Sequence, residues 1–166
     1  MNIKEAISEL DKQVANPSAG LPDDVFCYIS RTTPLVNVDL LIQDEQKRTL
    51  LSWRDDLYYG KGWHVPGGIV RFKETMEERV NEVARIEIGA VVGFDPSPIA
   101  VTQFMHPERK ERGHFISFLY RCFLSSAFVP ENKGLSHKDA GFLLWHSSCP
   151  DNLLECQKMY RKFISA

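Results

Sequence analysis

The chain offers little to hold it together except a core. Its four cysteines, Cys27, Cys122, Cys149 and Cys156, include no C-x-x-C pair, and no histidine stands at a zinc-like offset beside them. That spacing excludes the common zinc motifs and fits free thiols in a reducing compartment. No apolar run approaches the roughly 20 residues a bilayer-spanning helix needs. The start, Met-Asn-Ile-Lys-Glu-Ala, lacks the apolar stretch of a secretory signal. These absences predict a cytoplasmic protein without a membrane partner. Neither sign of charge dominates. A net charge of −2 argues against a nucleic-acid binder driven by a basic surface, although a local arginine pocket still admits an anionic ligand. There is no internal repeat and no low-complexity segment.

What is present is ordinary for a globular protein. The 166 residues, 43% of them hydrophobic, predict one domain over 1–166 whose core needs neither disulfides nor metal. Ile3, Ala6, Ile7 and Leu10 form one helical stripe, so an amphipathic helix is expected over about 3–14. Residues 35–42 are β-branched and apolar and read as a buried strand, with 49–53 as its antiparallel return. Residues 58–62 read as a loop. A helix is expected over 75–88, stopped by Gly89. Strands follow near 99–104 and 114–123, joined by a charged, exposed loop over 106–113. A short strand at 142–145 precedes a helix from Pro150 to about Phe163. This mixed order fits an α/β sandwich with a mixed sheet and lacks the alternation of a doubly wound fold.

The chemistry concentrates between Gly67 and Ala90. A Gly-Gly turn after a strand lets backbone carbonyls approach a ligand closely. On the helix that follows, Val83, Ile86, Glu87 and Ala90 are spaced to share one face. Glu87 is then an acid among apolar neighbours and needs a partner. A divalent ion is one partner, since Mg²⁺ takes one or two carboxylates plus water and phosphate oxygens. The structural alternative is an ion pair with Arg71 or Arg85. Glu74 suits the positive end of the helix dipole, and Glu78 reads as part of a solvated acidic stripe.

This stretch resembles the Nudix signature, G-x5-E-x7-R-E-U-x-E-E-x-G-U, with U a bulky apolar residue. Gly68, Glu74, Ala84, Glu87, Gly89 and Ala90 fall in register; the Arg position holds Glu82 and two Glu positions hold Val83 and Ile86. The Arg-x-Thr-Pro-Leu-Val run from Arg31 and the Val-Pro-Gly-Gly run ending at Gly68 are similar to the GDP-mannose mannosyl hydrolase branch, whose box is also reduced. The resemblance covers roughly residues 20–145. It implies a Nudix-like α/β/α sandwich and one Mg²⁺ per site. It also implies hydrolysis of a nucleoside diphosphate sugar by water attack at sugar C1. A single ion that stabilises a leaving diphosphate needs fewer carboxylates than attack at phosphorus.

Carried over by position, the resemblance implies Gly67, Glu87 and Asp139 for the metal and Arg54 for the diphosphate. It implies His137 as general base, reached through a short insertion because Ala140 occupies the gap-free position. Leu21, Pro22 and Phe26 match a segment that contacts the base, often across a homodimer. Phe115 stands where the branch has a tyrosine, with His114 or His106 as substitutes. Ile69 stands where it has an arginine, with Arg71 as a replacement on the same side of the strand. Two alternatives stay open: a pyrophosphohydrolase that draws on Glu74 and Asp139 to break a P–O–P bond, and a nucleotide-binding module without catalysis.

Overall fold

The computed structural model describes residues 2–164. Helix α1, Ile3–Gln13, opens on a capping box: Asn2 accepts from the Glu5 N–H at 2.9 Å and the Glu5 carboxylate accepts from the Asn2 N–H at 2.8 Å. None of its residues is buried. Helix α2, Asp23–Ser30, was not anticipated as a helix. Pro22 precedes it, and Asp23 and Asp24 in its first turn favour the dipole.

Strand β1, Leu35–Gln43, lies near the middle of an eight-stranded sheet. Its side chains are buried on both faces, as its apolar sequence requires. It turns into β2, Thr49–Asp56, because Asp44 accepts from the Gln46 and Arg48 N–H groups and from Arg48 Nε. Strands β3, Gly60–His64, and β4, Gly67–Ile69, follow. Helix α3, Met76–Val83, continues as a π-helical turn over Ala84–Ile88. Then come β5, Gly93–Phe94, β6, Ala100–Met105, β7, His114–Phe123, and β8, Leu143–His146. A 3-10 stretch, Glu155–Tyr160, runs into α4, Arg161–Ile164.

The sheet runs β3-β2-β1-β7-β5, with β4 also on β1, β6 on β7 and β8 on β2. The β1–β7 pair is parallel, from Leu35↔Phe115 to Gln43↔Phe123, and the other pairs are antiparallel. Val38, Leu40, Ile42 and Leu50 pack under Val80, Val83 and Ile88 of the α3 segment. Leu41, Leu51, Trp53 and Trp63 pack on the other side with Leu153, Tyr160 and Ile164. The mixed α/β sandwich expected from the sequence is therefore present.

Three expectations are corrected. Residues 58–62 are not all loop: the Tyr58 and Tyr59 N–H groups bind Asp56 Oδ1, which tightens the turn so that β3 starts at Gly60. The helix from Pro150 does not start there. Trp63 N–H donates to Asn152 O and Leu154 N–H to Trp63 O, so β3 takes the backbone groups that a helix would use. The shared helix face is also broken. The π turn lowers the rotation per residue, so Val83 is buried in the core, Ile86 is 57% exposed, and Glu87 points elsewhere.

Candidate active site

A cleft opens where two strands part. Strands β1 and β2 pair at Gln43↔Thr49, next to their turn. Further along, β1 pairs instead with β4, through Asp39↔Gly67 and Val38↔Gly68. Arg54 and His64 project into the gap from β2 and β3, and Asn37, Asp39 and Gly67 line its other wall. Glycine at 67 is a packing requirement: a Cβ there would overlap the Asp39 carboxylate and meet Val38 O at 2.8 Å. At 68 a Cβ would meet Val83 Cγ2, again at 2.8 Å. The Gly-Gly pair thus lets the box lie directly on β1 and α3.

The π turn brings Glu87 to a groove that adjoins this cleft, with Arg54 and His64 lining both. Burial pushes the Glu87 pKa from 4.5 to about 7; the Asp39 charge adds to the rise, and Arg54 and the Gly67 N–H oppose it. Its cationic neighbour is Arg54, and not Arg71 or Arg85: Arg85 pairs with Glu82 at 2.8 Å.

Asp39, a second carboxyl, lies in the cleft and is 5% exposed. Asn37 Nδ2 donates to its Oδ1 at 2.8 Å and Tyr160 Oη to its Oδ2 at 2.6 Å. Burial still outweighs these bonds and raises its pKa from 3.8 to about 6. His64 is held the opposite way. Burial and the neighbouring Arg54 push its pKa down to about 3, so the ring is neutral. Its Nδ1 lies 2.8 Å from Val65 O, which requires Nδ1 to donate and leaves Nε2 the acceptor. Gln157 clamps the Val65 backbone on both its N–H and its carbonyl.

Of the residues expected at the site, Gly67, Glu87 and Arg54 come together. His137 does not join them. Its ring meets Trp63 edge-on at 5.4 Å and tilts on Phe142 at 5.4 Å. Trp63 and Phe142 belong to the cluster that also holds Leu153 and Tyr160, so His137 packs there and not beside Glu87. Asp139 is exposed and closes its own turn, accepting from Ser136 N–H at 2.7 Å and Ser136 Oγ at 2.8 Å. Arg71 faces a different groove, beside Ser18 and α3. His114 Nε2 bonds to Gln103 at 2.8 Å on the outer side of β7. Leu21 and Pro22 lead into α2, and Phe26 lies under the Arg112 guanidinium at 4.7 Å. Glu74 is taken by Arg79 in a two-pronged pair at 2.8 and 2.7 Å, and Glu78 caps α3 through Thr75.

The sequence reading missed Asp39, His64, Tyr59 and Arg112. Asp39 had a signal, an isolated acid inside an apolar strand. Arg112 had none, because only the folding of the 106–113 loop over the β2–β3 turn brings it to the cleft.

The fold and this geometry can be set beside known proteins. No family model matches the chain. A hydrolase of the Nudix family from Clostridium perfringens superposes with a TM-score of 0.60 at 18% identity, covering 80% of this chain and 95% of that one. A MutT Nudix hydrolase from Burkholderia pseudomallei gives 0.61 at 21% identity, covering 78% and 97%. The fold is the Nudix fold. In sequence, the low-salt glycan biosynthesis protein Agl8 of Haloferax volcanii is 38% identical over 83 residues, which is 50% of this chain. The matched region spans about half of that relative, 53% of its length. No helix among the described residues is long and apolar enough to cross a membrane.

Proposed function

We propose that the protein is a divalent-metal-dependent hydrolase of a nucleoside diphosphate sugar, in which water attacks sugar C1 and the nucleoside diphosphate leaves. The observation that carries this reading is one box carboxylate, Glu87, half-buried near Gly67 and facing one guanidinium, Arg54. The residues present fit a single Mg²⁺. Glu87 is a desolvated acid whose charge a cation would restore, and the glycine beside it has no room for a side chain. Gly67 and Glu87 would hold the ion, with water and phosphate oxygens completing its shell. When bound, the ion supplies charge neutralisation to the leaving diphosphate.

The chain's own residues do the rest. Arg54 presents a planar fork suited to phosphate oxygens. Asp39 accepts the proton of the attacking water, in place of His137. Its pKa of about 6 leaves it ionised and basic near neutrality, and Asn37 and Tyr160 fix its orientation. His64 stays neutral and adds no competing charge beside Arg54. A homodimer in the cytoplasm completes the reading, and sedimentation of the intact chain tests the dimer.

The second reading, cleavage of a P–O–P bond, is favoured by the fold likeness. It asks for more carboxylates, yet Glu74 is spent on Arg79 and Asp139 on Ser136. Turnover of a panel of nucleoside diphosphate sugars in ¹⁸O-labelled water separates the readings. Label in the free sugar supports attack at C1. Label in a phosphate product supports the second reading. Tight binding with no turnover supports a binding module instead.

A further inference from the structure

Arg54 is not the only arginine at the cleft. The 106–113 loop is closed by His106 N–H donating to Gly113 O at 2.7 Å, and it folds back over the β2–β3 turn. Arg109 lies over the Tyr59 ring at 4.8 Å, with Arg54 over the same ring at 5.1 Å. Arg109 also donates to Tyr58 O. Arg112 is held between Phe26 at 4.7 Å and Tyr58 at 4.8 Å, and it lines the cleft. Its backbone sits in the left-handed region, φ 52°, which a side-chain-bearing residue adopts only at a cost.

These cations are poorly balanced. Arg54 has Asp56 at 3.5 Å, while Arg109 and Arg112 have no carboxylate within ion-pair distance among the described residues. Arg109 Nη1 and Arg112 Nε are buried and find no hydrogen-bond partner among those residues. Buried guanidinium N–H groups without acceptors are costly, and a guanidinium fork suits carboxylate or phosphate oxygens. Stacking on Tyr58, Tyr59 and Phe26 fixes the forks in place, so an anion would meet them preorganised. A diphosphate already assigned to Arg54 and the metal leaves this second pair of forks unused.

We propose that the ligand carries an additional anionic group beyond its diphosphate, received at the cleft by Arg112, with Arg109 stacked beside Arg54 on Tyr59 adding positive charge. This rests on the function proposed above and narrows its substrate class. The group is a carboxylate on the sugar or a further phosphate, chemistries that the same fork accepts.

The test is calorimetric binding to the intact chain, with Mg²⁺ present, of ligands matched except for the added charge. UDP-glucose is set against UDP-glucuronate, GDP-mannose against GDP-mannuronate, UDP against UTP and GDP against GTP. The acidic member of at least one pair should bind about tenfold more tightly, and its affinity should fall more steeply with added salt. A gain confined to the uronates identifies a sugar carboxylate; a gain confined to the triphosphates identifies a phosphate. The double variant Arg109→Gln, Arg112→Gln should bring that ratio close to one, and Arg112→Lys should restore part of it. Equal affinity within every pair overturns the proposal while leaving the cleft's function standing. So does a ratio unchanged in the double variant. Absence of binding by all eight compounds overturns both. If the double variant does not fold, the salt slopes of the unaltered protein decide.

Discussion

Replacing Glu87 by Gln removes the charge that the cleft desolvates and keeps the shape. Its consequence for stability can be worked out before any substrate is known. Below pH 4.5 the carboxyl is neutral in both folded and unfolded chains, so the two proteins differ only by local hydrogen bonding. As pH rises from 4.5 to about 7, the unfolded chain releases its proton while the folded one retains it, and the native protein loses stability. At about 1.36 kcal/mol per pH unit the loss reaches roughly 3 kcal/mol by pH 8, an upper bound because Glu87 keeps some solvent contact. The variant has no such penalty. Urea unfolding at pH 4.5 and pH 8 should therefore show Glu87→Gln gaining on the unaltered protein by up to about 3 kcal/mol between those conditions. Mg²⁺ should offset most of that difference at pH 8. An ion at 100 times its dissociation constant adds about 2.7 kcal/mol to the protein that binds it and nothing to the variant. Turnover by the variant should fall at least a hundredfold. A stability difference that does not change with pH would refute the desolvation argument. Equal stabilisation of both proteins by Mg²⁺ would refute the metal assignment.

Asp39→Asn should lower kcat at least a hundredfold. The unaltered enzyme should show kcat/KM falling as pH drops through about 6, where the base becomes protonated, and a profile without that limb would remove Asp39 from the role. His137→Ala should keep turnover within about threefold, because His137 packs on Trp63 and Phe142; loss of activity without loss of stability would return the base to His137. Gly67→Ala forces a methyl into the Asp39 carboxylate and should cost about 1–3 kcal/mol in thermal unfolding as well as activity. Arg79→Ala strands Glu74 next to the box and should cost about 3 kcal/mol by the same assay.

Much of the site was legible because it is local in sequence. Gly67 and Glu87 belong to one continuous loop and helix, and Arg54 holds a fixed distance along a hairpin from Pro66. The late loop was not legible. Counted back from Trp145 without gaps, the two positions hold Asp139 and Ala140, and only a short insertion puts His137 within reach of a base role; what a loop packs against is not written in spacing. Trp63 and Phe142 draw His137 into their aromatic cluster, away from Glu87. Asp139 finds its acceptor role satisfied within its own turn, a competition that local hydroxyl and amide donors commonly win.

By itself the sequence determined β1, β2, β6, β7, β8 and the helix they support, since apolar periodicity and Gly89 set these through local sterics and burial. It also determined the reduced box, because the residues at 83 and 86 have no oxygen to offer a metal. Only the tertiary structure decided which charges meet. The π turn swings Glu87 off the face it was expected to share with Val83 and Ile86. The parting of β1 from β2 makes room for Arg54 between two carboxyls. The 106–113 loop carries Arg109 and Arg112 onto a tyrosine pair about 50 residues earlier in the chain. Those meetings are long-range contacts whose free energy depends on desolvation, and desolvation exists only once the chain has folded around the groups.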